Sequence, residues 1–265
     1  MQVLLTHDNS FPDNNLLVIK LLHFQSRDVF AVMCENLIQS ALSMRSEKQV
    51  VITIINRLDK WQALFDKLKG EGLTTSEQQG LYGELHFLQK FITRQNAVSA
   101  LNSWVGTDRE VRDFQYNDWA VEVKTTAGNN HQKVSISSER QLDETLLENL
   151  YLFHLSVEAA QKNGENLNAK VNSIREALQD NVSALNVFNS KLLEVGYFEK
   201  HTTLYEKRCY QIRNENYYRI DGDFPRIKEK EIRNGVGDVK YSIILSQCNE
   251  YLVPENTVFE KINYL

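Results

Sequence analysis

Apolar positions along this chain switch between helical and strand spacing. Residues 15–23, NLLVIKLLH, form an almost unbroken apolar run and predict a buried strand. Val29, Phe30, Val32, Met33, Leu37 and Leu42 recur at helical spacing and predict a helix over 28–44. Trp61, Leu64, Phe65 and Leu68 fall at i, i+3, i+4 and i+7, an amphipathic helix. EGLTTSEQQG interrupts the pattern, and Thr75 or Ser76 suits the N-cap of the next helix, through GLYGELHFLQKFI. Leu81, Leu85, Leu88 and Ile92 make its buried stripe. Glu84, three residues after Leu81 and four before Leu88, points with that stripe.

The stretch DFQYNDWAVEVK, residues 113–124, is a β-hairpin by composition, with Asn117-Asp118 as turn chemistry. A two-residue loop pairs Tyr116 with Trp119 and sets Asp113 opposite Glu122. Alternation then gives Ala120, Glu122 and Lys124 one face and Trp119, Val121 and Val123 the other. Like charges across a ladder repel, so a positive group belongs between the two carboxylates. Lys124 is one candidate, and a divalent cation held by carboxylate oxygens is the better one.

Further on, KVSISS is a strand, a short helix begins near Ser138, and ENLYLFHLSV suits a sheet centre. Residues 161–196 are polar and helical, with Ile174, Leu178, Val182, Leu185 and Leu192 as apolar members. The tail is mostly β: YEKRCYQI, a turn at 214–216, YYRI and KYSIILSQC. The expected fold is therefore α/β, a mixed sheet flanked by helices. An N-terminal α/β region (1–70) precedes the sheet core (71–160), and a helical and β-rich C-terminal extension (161–265) packs on both.

Composition narrows the class. The chain has 265 residues, 42% hydrophobic and 25% charged, which predicts a packed globular protein. No run is long and apolar enough for a membrane helix, and MQVLLTHDNS lacks the basic start of a signal peptide. Three scattered cysteines, Cys34, Cys209 and Cys248, fit a reduced, cytoplasmic protein and exclude a zinc ribbon. A net charge of −5 argues against a general nucleic-acid coat protein. Residues 86–140 carry seven Lys or Arg against six Asp or Glu, no basic surplus for phosphate contacts.

Glu84 on a helix, then Asp113, then Glu122-Val-Lys124 resembles the PD-(D/E)XK nuclease superfamily. More narrowly, the chain resembles bacterial proteins known only by that motif. The pieces carrying the resemblance are GLYGEL, SWVG, RDF, VEVKTT, SSERQL, FPRI and GVGDVKYSIIL, over roughly residues 70–250. One departure is Arg112, where the superfamily has proline before the Asp. The resemblance implies a restriction-endonuclease-like fold and a DNA endonuclease dependent on magnesium, or manganese, in bacterial restriction or phage defence. Asp113, Glu122 and Lys124 are then catalytic. Asp113 and Glu122 bind metal beside a backbone carbonyl near Val123, and Glu84 holds its water shell or a second ion. Gln141 and Ser138 contact substrate phosphate with help from a helix N-terminus. DNA is the implied partner, with a homodimer, an ATPase or helicase, or a methyltransferase as further candidates. No GxxxxGK[ST] occurs, so any ATP-driven motor is a separate protein.

Plainer readings stand beside these. The hairpin charges suit a surface ion-pair ladder, Glu84 a solvated flank, Ser138 a cap and Gln141 a surface amide. His131 suits an idle loop position, Trp104 and Trp119 the core, and Arg226 either a salt bridge or a phosphate contact. The alternative function is a non-catalytic nuclease-fold subunit for DNA binding or assembly. Hydrolysis of some other phosphoester is a third class.

Overall fold

The computed structural model describes the chain apart from residues 8–9, 12–13, 23–26, 43, 69–71, 109–110, 129–131, 162 and 263–265; for 28 and 63–68 it describes the backbone path alone. His131 and the side chains of Leu64, Phe65 and Leu68 thus lie outside the described residues. The chain divides into two units, Met1–Gly72 and Leu73–Leu265.

In the first unit, β1 (Gln2–His7) and β2 (Asn15–Lys20) form an antiparallel ribbon, and α1 (Arg27–Leu42) packs on α2 (Glu47–Leu68). Met33, Leu37, Leu58 and Trp61 are buried. The strand expected at 15–23 exists but is not buried: Leu16 and Leu17 are exposed, because β2 has only β1 beside it in its sheet.

The second unit opens with α3 (Thr75–Ile92) and α4 (Ala97–Ser103). Thr74, one residue earlier than expected, caps α3. Its hydroxyl accepts from Glu77 N–H while the Glu77 carboxylate accepts from Thr74 N–H, a reciprocal capping box. Next come β3 (Phe114–Tyr116), β4 (Trp119–Ala127), β5 (Lys133–Ile136), β6 (Asn149–Ala160) and β7 (Glu165–Asn166). They are followed by α5 (Leu167–Ala177), α6 (Val182–Glu194), α7 (Thr202–Tyr205) and β8 (Cys209–Arg219). The chain closes with β9 (Tyr241–Ile244), β10 (Leu252–Val253) and α8 (Glu255–Lys261).

The main sheet runs β10-β8-β6-β4-β3, with β7 also on β8. β4 and β6 are parallel and the other pairs antiparallel, the mixed sheet of a restriction-endonuclease-like α/β fold. ENLYLFHLSV takes the centre of that order as β6, and its continuous apolar run fits a strand covered on both faces. In the hairpin Tyr116 pairs with Trp119 and Phe114 with Val121, the register expected from the turn. Asn117 takes φ 46°, which the tight turn requires and asparagine tolerates.

Alternation along β4 divides the core. Trp119, Val121 and Val123 face one apolar cluster with Leu81, Leu85 and Leu88 of α3, Val171 and Ile174 of α5, and Phe188 of α6. Ala120 faces a second cluster with Leu150 and Leu152 of β6, Val134 and Ile136 of β5, and Ile243 of β9. Fully burying such side chains stabilises by about 1.5–3 kcal/mol each.

The turn expected at 214–216 is absent. β8 runs straight through it, and the register against β6 slips where Ser156 faces Asn214 and Val157 faces Ile212, leaving Arg213 extra. A β-bulge absorbs the polar stretch that suggested a turn. Residues 139–142 form a four-residue 3-10 turn rather than an α-helix.

Candidate active site

Asp113 immediately precedes β3, and its carboxylate stands where a ladder partner would. Its Oδ2 accepts from Val123 N–H at 2.7 Å. Its carbonyl accepts from Val105 and Gly106 N–H, both at 2.9 Å. A β-carbon on Gly106 would come within 3.1 Å of both the Asp113 Cα and its Oδ1. The glycine of SWVG therefore lets the chain close around Asp113.

Glu122 is 1% exposed, which excludes a surface ion-pair ladder. Lys124 Nζ lies 2.7 Å from Glu122 Oε1, while Glu122 Oε2 is buried with no hydrogen-bond partner. Burial and the Asp113 charge push the Glu122 carboxyl up to about 8, against the pull of Lys124. Burial also raises Asp113, opposed by Lys124 and the Val123 N–H. Burial works to lower Lys124, but Glu122, Asp113 and Glu84 prevail and hold it above its ordinary value, so it keeps its proton.

Glu84 reaches this group from α3. Burial and the charges of Asp113 and Glu122 raise its pKa well above the ordinary value, while Trp104 and Lys124 pull it down. Trp104, fully buried, donates its indole N–H to Glu84 Oε2 at 2.8 Å. Trp104 is thus a core residue with a polar task, and Glu84 is no solvated flank.

Gln141 joins the group through its side-chain oxygen, which accepts from Ser137 N–H at 2.8 Å and Lys124 Nζ at 3.4 Å. Ser138 starts the 3-10 turn without a side-chain capping bond. That turn is too short to supply a helix N-terminus for phosphate.

Arg112 has a role the sequence did not suggest. Its Nε donates to the Gln141 carbonyl at 3.1 Å, and Nη2 to the carbonyls of Arg140, at 3.0 Å, and Asp143. Nη1 donates to Gln115 Oε1 at 3.2 Å. The guanidinium thereby clamps the turn that carries Gln141. The same segment is strapped from the C-terminal side. Glu139 Oε2 accepts from Val239 N–H at 2.9 Å, and Arg226, its side chain 1% exposed, pairs with Glu144 at 2.7 Å. Arg226 is therefore a structural ion pair. His154 was also missed. It lies opposite Lys124 on β6, fully buried, bonded to the Thr126 hydroxyl at 2.8 Å, and burial lowers it to about 4. A histidine in the central apolar strand was the available signal.

Among the described residues, no three His, Cys, Asp or Glu side chains stand as a ready-made metal cage. The donor set still fits magnesium, which is usually held by one or two carboxylates with water and substrate phosphate completing its shell. Asp113 and Glu122 are such a pair, and Glu122 Oε2, buried with no hydrogen-bond partner, is open to a cation in place of a proton.

Fold and side-chain layout together define the PD-(D/E)XK class: a mixed sheet with Asp on one hairpin arm, Glu-x-Lys on the other, and a helix Glu beside them. Residues 1–246 match a family model described as "Putative PD-(D/E)XK family member, (DUF4420)", and the chain belongs to that family. No curated protein and no solved structure matches it.

Proposed function

We propose that this protein is a magnesium-dependent DNA endonuclease that hydrolyses phosphodiester bonds, in a bacterial restriction or phage-defence setting. One observation carries the reading. Three buried carboxylates, Glu84, Asp113 and Glu122, face each other's charge with a single lysine ammonium inserted among them. Burying like charges is costly unless a cation or protons neutralise them. Asp113 and Glu122 would hold the ion, helped by the Val123 carbonyl. That carbonyl shares the free-edge direction of the Val123 N–H, since a strand residue's two peptide groups point the same way. The ion would supply charge neutralisation at the phosphoryl group and an activated water. Lys124 acts as a donor rather than a base, because its acidic neighbours keep it protonated. It orients the water and stabilises the added negative charge, and Gln141 fixes the ammonium between itself and Glu122. Glu84 is held by Trp104 to order the water shell.

The alternative is a non-catalytic nuclease-fold subunit that serves DNA binding or assembly. Plasmid cleavage with magnesium or manganese, on modified and unmodified DNA, separates the two. The nuclease reading expects cleavage that Lys124→Ala abolishes, a loss of ~10²–10³-fold by analogy with a single oxyanion donor. Metal binding should persist, because an ammonium is no metal ligand. Wild-type protein inactive under every such condition supports the subunit reading. A Lys124→Ala variant that cuts at the wild-type rate overturns the assigned mechanism.

A further inference from the structure

β3 pairs with β4 only at residues 119–121, yet β4 runs on to Ala127. Along that extension a cavity of about 400 Å³ opens, lined by residues of α3, β4 and β5. Lys124 and Thr126 line it from β4, Lys133 and Ser135 from β5, and Gln79 from α3. Its lining contains two ammonium groups and several hydroxyls, and no carboxylate. A larger cavity of about 560 Å³ beside Arg112 differs in this respect, since Asp143 and Glu229 line it along with Arg140 and Lys230. A lining whose charged groups are ammoniums, with hydroxyls beside them, suits a polyanion better than one that also carries carboxylates.

Position strengthens the argument. Lys124 belongs both to this cavity and to the carboxylate group, so whatever fills the cavity is continuous with the reacting centre. From Lys124 to Ala127 the strand extends about 10 Å, long enough to face the scissile phosphate and the one beside it. Gln79 donates to the Thr125 carbonyl at 2.8 Å, so the Thr125 peptide groups face the free edge, as those of Val123 do. The edge thus offers backbone N–H as well as side-chain donors.

We propose that this cavity seats the phosphodiester backbone of the DNA strand being cut, with Lys133 pairing with a phosphate that flanks the scissile one and Ser135 donating a hydrogen bond to it. The proposal rests on the nuclease reading, and its test separates the two. A fluorescently labelled DNA duplex is titrated with the full-length protein over a series of salt concentrations, using wild type, Lys133→Ala, Lys133→Glu and, as control, Lys261→Ala on α8. Both Lys133 and Lys261 are exposed, so neither change threatens the fold. Lys133→Ala should weaken binding several-fold at low salt and make the slope of log K against log salt shallower by about 0.9. Lys133→Glu should weaken it further, and Lys261→Ala should change neither quantity. In cleavage assays Lys133→Ala should raise KM and leave kcat in place. Wild-type affinity and slope in Lys133→Ala overturn the proposal, as does an equal loss in Lys261→Ala. Wild-type protein that binds no DNA overturns both readings. Protein that binds but never cuts overturns only the catalytic one, and the Lys133→Ala slope still decides the cavity.

Discussion

Gly83 of α3 meets Thr125 of β4 so closely that a β-carbon on the glycine would sit 1.8 Å from the threonine hydroxyl oxygen. Helix and strand touch through a position without a side chain, and Glu84, the next residue, is thereby brought beside Asp113 and Glu122. Gly83→Ala should push α3 outward, costing about 1–3 kcal/mol as overpacking and sharply reducing cleavage as Glu84 moves. Gly80, three residues earlier in the same helix, has open space around its Cβ position. Gly80→Ala should therefore stabilise by about 1 kcal/mol through helix propensity. Thermal melts of the two variants give opposite signs on this account; a stable, fully active Gly83→Ala would refute the contact.

Arg112 occupies the place where the superfamily has proline, and here it binds the turn carrying Gln141 through the three carbonyls of residues 140, 141 and 143. Only a planar fork meets acceptors in several directions, so lysine is no substitute. Arg112→Ala and Arg112→Lys should both lose stability, about 2–3 kcal/mol for charged hydrogen bonds removed from a mostly buried site. Both should lower kcat more than they raise KM, because Gln141 no longer fixes Lys124. If Arg112→Lys matched wild type while Arg112→Ala failed, charge alone would matter and the clamp would not.

Glu122 sets a pH dependence with a definite sign. Burial and the Asp113 charge place its carboxyl at about 8 in the folded chain, against an ordinary 4.5. The folded state retains a proton that the unfolded state has already released, so metal-free stability should fall as pH rises from about 4.5 to about 8. A bound cation displaces that proton, so magnesium should stabilise more strongly towards the upper end of the window. Glu122→Gln should weaken the pH dependence, leaving the part that the raised Glu84 and Asp113 contribute, and abolish the magnesium effect. Melting temperatures against pH, with and without magnesium, measure both; a magnesium effect that survives in Glu122→Gln removes Glu122 from the ion's shell.

The hairpin and its register were legible because strand alternation and an Asn-Asp turn are local signals, and the pairing of Tyr116 with Trp119 and Phe114 with Val121 follows by counting. Glu84 was legible as an oddity, a carboxylate on an apolar stripe. Its indole partner was not, since Trp104 lies 20 residues on and tryptophans are ordinarily core. The Arg112 clamp left no trace because its partners are backbone carbonyls, which every residue has. Gly83 did leave one, a glycine inside a helix, which often marks a close approach. The polar 214–216 stretch misled because a bulge and a turn draw on the same residue types, and only the long pairing of β6 with β8 chose between them.

That pairing bears on how the chain folds. β8 follows the carboxylate-bearing strands by some ninety residues, yet it is next to β6 in the main sheet, and Tyr210 and Tyr217 of β8 share a core with Leu85 of α3 and Val121 of β4. Val258 and Phe259 of α8 belong to the same core, so the C-terminal stretch is integral to the sheet that carries the site. Both apolar clusters of this unit are built from Leu73 and later residues. The fragment 73–265 should therefore fold alone with one cooperative thermal transition, whereas 73–160 should not, having lost β8, α5 and α8. Circular dichroism melts and limited proteolysis of the two fragments check this. A cooperative melt for 73–160, or none for 73–265, would show that the cores described here do not set the folding unit.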